Sequence, residues 1–193
     1  MRALLLPIAV TAALVATSAS GQTMRRSHVE CISRGVPPAL RAEFRRLYAT
    51  DPESAVQALL ARSEMDQVML DCVEPAFLEG PPETVSSRGY SLGRAWGSNE
   101  IMTAAAAAIA EIDASYARNL DAAYTGLTAV QRATLVRAEG GVSREARANV
   151  VLFASRVSPD LNSRALAANR NLHLQLSFYL VARATYESMV PEQ

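Results

Sequence analysis

Apolar side chains recur along most of this chain at the three- and four-residue steps of helices. The clearest run is Asn99 to Tyr124, NEIMTAAAAAIAEIDASYARNLDAAY. Ile101, Ile109, Ile112, Tyr116, Leu120 and Tyr124 share one stripe, with Ala105, Ala108 and Ala123 filling it, while Glu100, Glu111, Asp113, Arg118 and Asp121 fall opposite. That spacing predicts a long central helix with one buried face. Ser98 offers an N-cap before it and Gly126 a stop after it.

Shorter runs flank it. Thr23–Arg34 predicts a first helix, ended by Gly35 and Pro37-Pro38. Pro38 opens a second, with Leu40, Phe44, Leu47 and Tyr48 on one face. Asp51-Pro52 starts a third, lined by Ala55, Val56, Leu59 and Leu60. Ser63 and Asp66 resemble a capping box for a fourth, which would bury Met65, Val68, Met69, Cys72, Val73 and Ala76. Glu79 to Gly97, EGPPETVSSRGYSLGRAWG, then breaks the pattern. Its Gly, Pro and Ser content predicts a long loop, with a helical turn at Tyr90–Trp96 packing on the bundle.

Beyond the central helix, Thr128 and Gln131 form a capping box for a helix ending at Gly140-Gly141. Ser143 caps another, with Val150, Val151, Ala154 and Val157 inward, and the last helix extends from Asp160 to Met189. Its segment LHLQLSFYLV, Leu172–Val181, is apolar nearly all round as a helix. Such a helix is either central or covered by a second subunit, which predicts a homodimer through the C-terminal helix as one option. The fold class expected is all-α, a single-domain bundle of about six to seven helices with a long central Ala-rich helix and a long C-terminal helix. Within residues 21–193 it divides into an N-terminal helical half at 23–78, the loop at 79–97 and a C-terminal helical half at 98–190.

Composition narrows the setting. The 193 residues suffice for one sizeable core, and 50% hydrophobic content with only 6% aromatics suits helix packing. Arg supplies all 19 basic residues and 19 acidic residues balance them, so no long-range field favours nucleic acid or an anionic membrane. Met1-Arg2, the apolar run Ala3–Ala16 and the small residues Thr17–Gly21 form a signal-peptide pattern over 1–20. The apolar run contains Pro7 and is shorter than the ~20 residues of a membrane span. A periplasmic or secreted protein is expected, and with it a disulfide between Cys31 and Cys72.

Candidate chemistry is sparse. Gly89-Tyr90-Ser91-Leu92-Gly93 resembles the G-x-S-x-G nucleophile elbow of α/β-hydrolases over those five residues. The resemblance implies Ser91 as nucleophile, His173 as base and Asp160 as its orienter. The elbow needs a strand before it, and PPETVSSR supplies none. Gly89, Gly93 and Gly97 also have the spacing of a close-packed small-residue stripe, but that motif acts in membrane spans and none is present, so the run reads as a flexible Gly-rich loop. His28, Cys31 and Cys72 are too few ligands for a zinc site, and no metal or cofactor is assigned. Arg41, Arg45 and Arg46, offset by Glu43, read as a basic patch on the solvent face of the second helix. Leu127-Thr128-Ala129-Val130-Gln131 resembles the L-T-x-x-Q motif of small periplasmic helical stress chaperones, which implies a chaperone-like role in the envelope. The leading expectation is an exported, non-catalytic module that binds a protein, peptide or envelope component. The chaperone-like protein and the serine hydrolase are its alternatives.

Overall fold

The computed structural model describes residues 24–48, 50–136 and 144–190. The signal-peptide segment, Gly140-Gly141 and Ser143 lie outside them. Every element among the described residues is helical. The first four α-helices are short: α1 (Arg26–Gly35), α2 (Pro38–Tyr48), α3 (Pro52–Leu60) and α4 (Ser63–Cys72). Proline starts α2 and α3, as expected, and the Asp51 side chain caps α3 by accepting the Ser54 N–H at 3.2 Å. Helix α4 stops earlier than its apolar stripe suggests, because Val73 and Glu74 turn extended ahead of Pro75. Val73 and Ala76 therefore lie beyond it, Ala76 within a 3-10 turn, Pro75–Leu78, that buries Phe77.

The predicted loop at 79–97 is, from Pro82 onward, helix. Helix α5 (Pro82–Ile112) contains 31 residues and is about 46 Å long. Gly80, with φ of 126°, makes the turn into it. Three glycines inside a helix each cost about 1 kcal/mol in propensity. Two of them lie under side chains of other helices. A Cβ on Gly93 would lie 2.8 Å from Leu60 Cδ2, and one on Gly97 would lie 2.6 Å from Phe44 Cζ. The small-residue stripe is thus a seat for α3 and α2, and Ser98 is buried inside the helix instead of capping it.

The predicted central run, 99–124, is likewise divided. Asp113 is extended (φ −157°, ψ 115°), and its carboxylate accepts from Ser115 N at 2.7 Å and Ser115 Oγ at 2.6 Å. A new helix, α6 (Ala114–Thr125), starts there. It ends at Gly126, as expected. Then come α7 (Ala129–Val136) and α8 (Arg144–Val157). The predicted last helix is two: α9 (Ser163–Ala168) and α10 (Arg170–Met189), separated by Asn169, whose side chain caps α10 at Leu172 N. The chain thus forms ten α-helices among the described residues where six to seven were expected, while the long α5 and α10 keep the predicted plan.

Helices α5 and α10 pack antiparallel as a spine, and a separate apolar core forms at each end. The N-terminal core joins α1 to α4 and the 3-10 turn to the first half of α5 and the end of α10, around Ile32, Phe44, Met65, Trp96 and Tyr186. The C-terminal core joins α6 to α9 to the end of α5 and the start of α10, around Ile109, Leu135, Phe153, Leu176 and Leu180. Met102 and Phe178, half-buried, touch both cores at the waist. Both spine helices are contacted on several sides, which explains why neither reads as simply amphipathic. Among the described residues no helix is long and apolar enough to cross a membrane.

Candidate functional site: the waist between the cores

The waist holds the deepest charged group among the described residues. Glu100 lies midway along α5 with only 4% of its side chain exposed. The periodicity had put it on the polar face; α2 covers that face. Arg41 Nη1 donates to Glu100 Oε1 at 3.0 Å and Arg45 Nη2 donates to Oε2 at 2.9 Å. Arg41 Nη2 also donates to the Ser33 carbonyl of α1. Arg41 and Arg45 are four residues apart, so one face of α2 offers both to one carboxylate. Two of the three arginines assigned to a solvated patch thus point inward, and Arg46 remains exposed. Glu43 pairs with Arg62 at 2.6 Å instead of offsetting the patch.

Two guanidinium groups on one carboxylate leave this centre with a net positive charge. It is also incompletely satisfied. Arg45 Nε, Ser33 Oγ and Trp96 Nε1 are buried without a hydrogen-bond partner. Arg45 pairs with Glu100, Ser33 is the α1 residue whose carbonyl accepts from Arg41, and Trp96 precedes Glu100 by about one turn of α5. Such atoms are uncommon in folded proteins, and each costs about 1–3 kcal/mol.

Beside this centre a cleft of about 160 Å³ opens between α2, α5 and α10. Ile101, Ala104 and Ala105 of α5 and Phe178 of α10 give it an apolar wall. Arg45 and Tyr48 of α2 and Gln175 of α10 supply its polar groups. The alanine run explains the space: Ala104 and Ala105 are too short to fill the gap where the two cores meet. Burial raises the Tyr48 phenol above its ordinary pKa, against the opposing charge of Arg94, so Tyr48 is a neutral hydroxyl here.

The other candidates lead elsewhere. Cys31 and Cys72 are joined, Sγ to Sγ at 2.09 Å, so neither thiol is left for a metal. Their neighbour His28 is buried, and its Nε2 meets Glu74 Oε2 at 2.9 Å beside the Arg25–Glu74 ion pair. The Glu74 carboxyl is held below its usual range, first by its own backbone N–H and then by His28 and Arg25. Ser91 is in the interior of α5, where no strand-to-helix turn strains it into exposure. Asp160 is exposed in the turn after α8, and His173 is on α10. Among the described residues no hydrogen bond joins Ser91, Asp160 and His173, so the elbow resemblance lacks its geometry. In the L-T-x-x-Q stretch, Thr128 Oγ1 accepts from Gln131 N at 3.2 Å and Gln131 Oε1 accepts from Thr128 N at 2.9 Å. Those side chains are occupied in capping α7. On α10, Leu174 is 49% exposed.

No local signal in the sequence marks Glu100, Tyr48 and Gln175 as a site. They come from three distant segments that only the packing of α2 and α10 on α5 brings together. No protein family, curated protein or solved structure matches this chain.

Proposed function

We propose that this chain is an exported, non-catalytic binding module whose ligand seat is the waist cleft. The observation that carries the reading is the cleft itself, with apolar walls, three polar groups and an under-satisfied ion cluster behind it. Small-molecule sites have that composition, a mostly apolar lining with a few convergent polar groups. The seat also joins both cores, so occupancy would tie the two ends of the spine together. Export is supported by the Cys31–Cys72 pair, since such bonds persist in oxidising compartments.

The test is recovery of a bound small molecule. The protein and an Ala104→Leu variant, whose added side chain fills the cleft, are exposed to a small-molecule extract of the host's envelope and re-isolated. Released compounds are identified by mass spectrometry. Enrichment of a compound by the native protein and not by the variant is expected. Equal recovery from both contradicts the reading, as does turnover of an ester or peptide that a single substitution abolishes.

A further inference from the structure

Arg45 is the one charged residue among those lining the cleft; the others are apolar or neutral. It lends a single N–H edge to Glu100, and its Nε has no acceptor. With Arg41 also committed to Glu100, the cluster behind the cleft carries two positive charges against one negative.

We infer that the cleft takes a small organic monocarboxylate with a compact apolar body, its carboxylate against Arg45 and its body against Ile101, Ala104, Ala105 and Phe178. This rests on the binding reading above and names its ligand class. Size fixes the body: the volume is about 160 Å³, and a cavity of about 150 Å³ holds a benzene-sized molecule. Charge fixes the head. A carboxylate cancels the net positive charge and accepts from a planar guanidinium edge. An amine would face Arg45 with no carboxylate in the lining to receive it. A neutral ring would fill the walls and leave the charge uncancelled. Tyr48 and Gln175 are neutral donors at the same end of α2 and on α10, suited to orient the head without adding charge.

The probes are benzoate and its neutral isostere benzyl alcohol, titrated into the disulfide-intact protein by isothermal calorimetry. Benzoate is expected to bind about tenfold more tightly, the gain of a charge-assisted over a neutral hydrogen bond. Ala104→Leu should abolish both, and Arg45→Gln should reduce benzoate to the level of the alcohol. Arg62→Gln, which breaks an ion pair outside the cleft, should leave both unchanged. Circular dichroism melts establish that each variant folds; if Arg45→Gln does not, the benzoate-to-alcohol ratio and Ala104→Leu still decide. Equal affinities, undiminished benzoate binding in Ala104→Leu, or no binding of benzoate at about 10 mM, weaker than the millimolar range of small fragments, would each overturn the inference. If the envelope extract yields a neutral or cationic compound that Ala104→Leu loses, the acid preference falls and the binding reading stands. If neither probe nor any extracted compound binds, both fall.

Discussion

The two ends of the α5–α10 spine are of similar extent but are held by different means. The N-terminal core gathers four short helices and a 3-10 turn. Helices of 9 to 11 residues have little stability of their own. They are fixed by a disulfide between α1 and the end of α4, by the Arg41–Glu100–Arg45 cluster, and by glycines that let α2 and α3 rest on α5. The C-terminal core relies on side-chain packing and helix caps. Phe153 stacks on Tyr179 with centroids 5.9 Å apart, and Asn149 Nδ2 donates to Thr134 Oγ1 at 2.7 Å to tie α7 to α8. At its edge Tyr124 donates to Glu187 at 2.9 Å while the Arg132 and Arg183 guanidiniums lie 5.5 and 5.2 Å from its ring. Helix length alone does not set the difference, since α7 and α9 of the C-terminal core have only 8 and 6 residues; the N-terminal core differs in its disulfide and in the burial of its ion cluster. The cleft lies where these two kinds of construction meet and neither fills the space.

The contrast can be broken from the N-terminal side first. Replacing both cysteines, Cys31→Ser with Cys72→Ser, removes a constraint across 41 residues. In the chain-entropy account this lowers stability by about 4 kcal/mol, read by urea denaturation. Glu100→Ala leaves two guanidiniums facing each other under α2. Removing one member of a buried ion pair costs 3–5 kcal/mol, and because Arg45 can turn to solvent we expect about 3 kcal/mol. Gly97→Ala drives a methyl into the Phe44 ring and should cost about 2 kcal/mol by overpacking, with the aromatic circular dichroism of Trp96 altered through its contact with Phe44.

Changes at the other end should be smaller. Thr128→Ala removes one half of the α7 capping box and should cost about 1 kcal/mol. Its effect should appear in thermal melts and leave the waist cleft untouched. Tyr124 gives a pH signature. Burial first, then the hydrogen bond to Glu187 and its charge, raise the phenol above its ordinary value of 10, despite Arg132 and Arg183. A raised native pKa favours the neutral form in the fold. Its contribution is therefore complete below about pH 10 and is lost as pH rises above the unfolded value. Urea midpoints should fall on that alkaline limb, and Tyr124→Phe should flatten it, with a small drop of the midpoint at neutral pH, where the hydroxyl's hydrogen bond to Glu187 is intact.

Much of this plan is legible in the sequence where a local signal agrees with the packing. Pro38 and Pro52 mark helix starts because proline suits the first helical turn in any context. Thr128 and Gln131 mark another because both partners of the box are three residues apart. Glu79–Gly97 misleads because glycine is a turn former by propensity, whereas Gly93 and Gly97 lie under Leu60 and Phe44, which are far away in sequence. The break at Asp113 is hidden because apolar spacing continues across it, with Ile112 before and Tyr116 after. Arg41 and Arg45 read as solvated because nothing in α2 reveals that Glu100 of α5 lies under them. The cleft is the least legible feature, since a gap left by Ala104 and Ala105 has no residue of its own to announce it.

The most direct test of the two-core account is hydrogen exchange followed by mass spectrometry, on the oxidised protein and again after reduction. Reduction should strip protection from α1 to α4 while peptides of α8 and of the first half of α10 keep theirs. Loss of protection at one common rate along the whole chain would mean a single cooperative core, and would contradict the account.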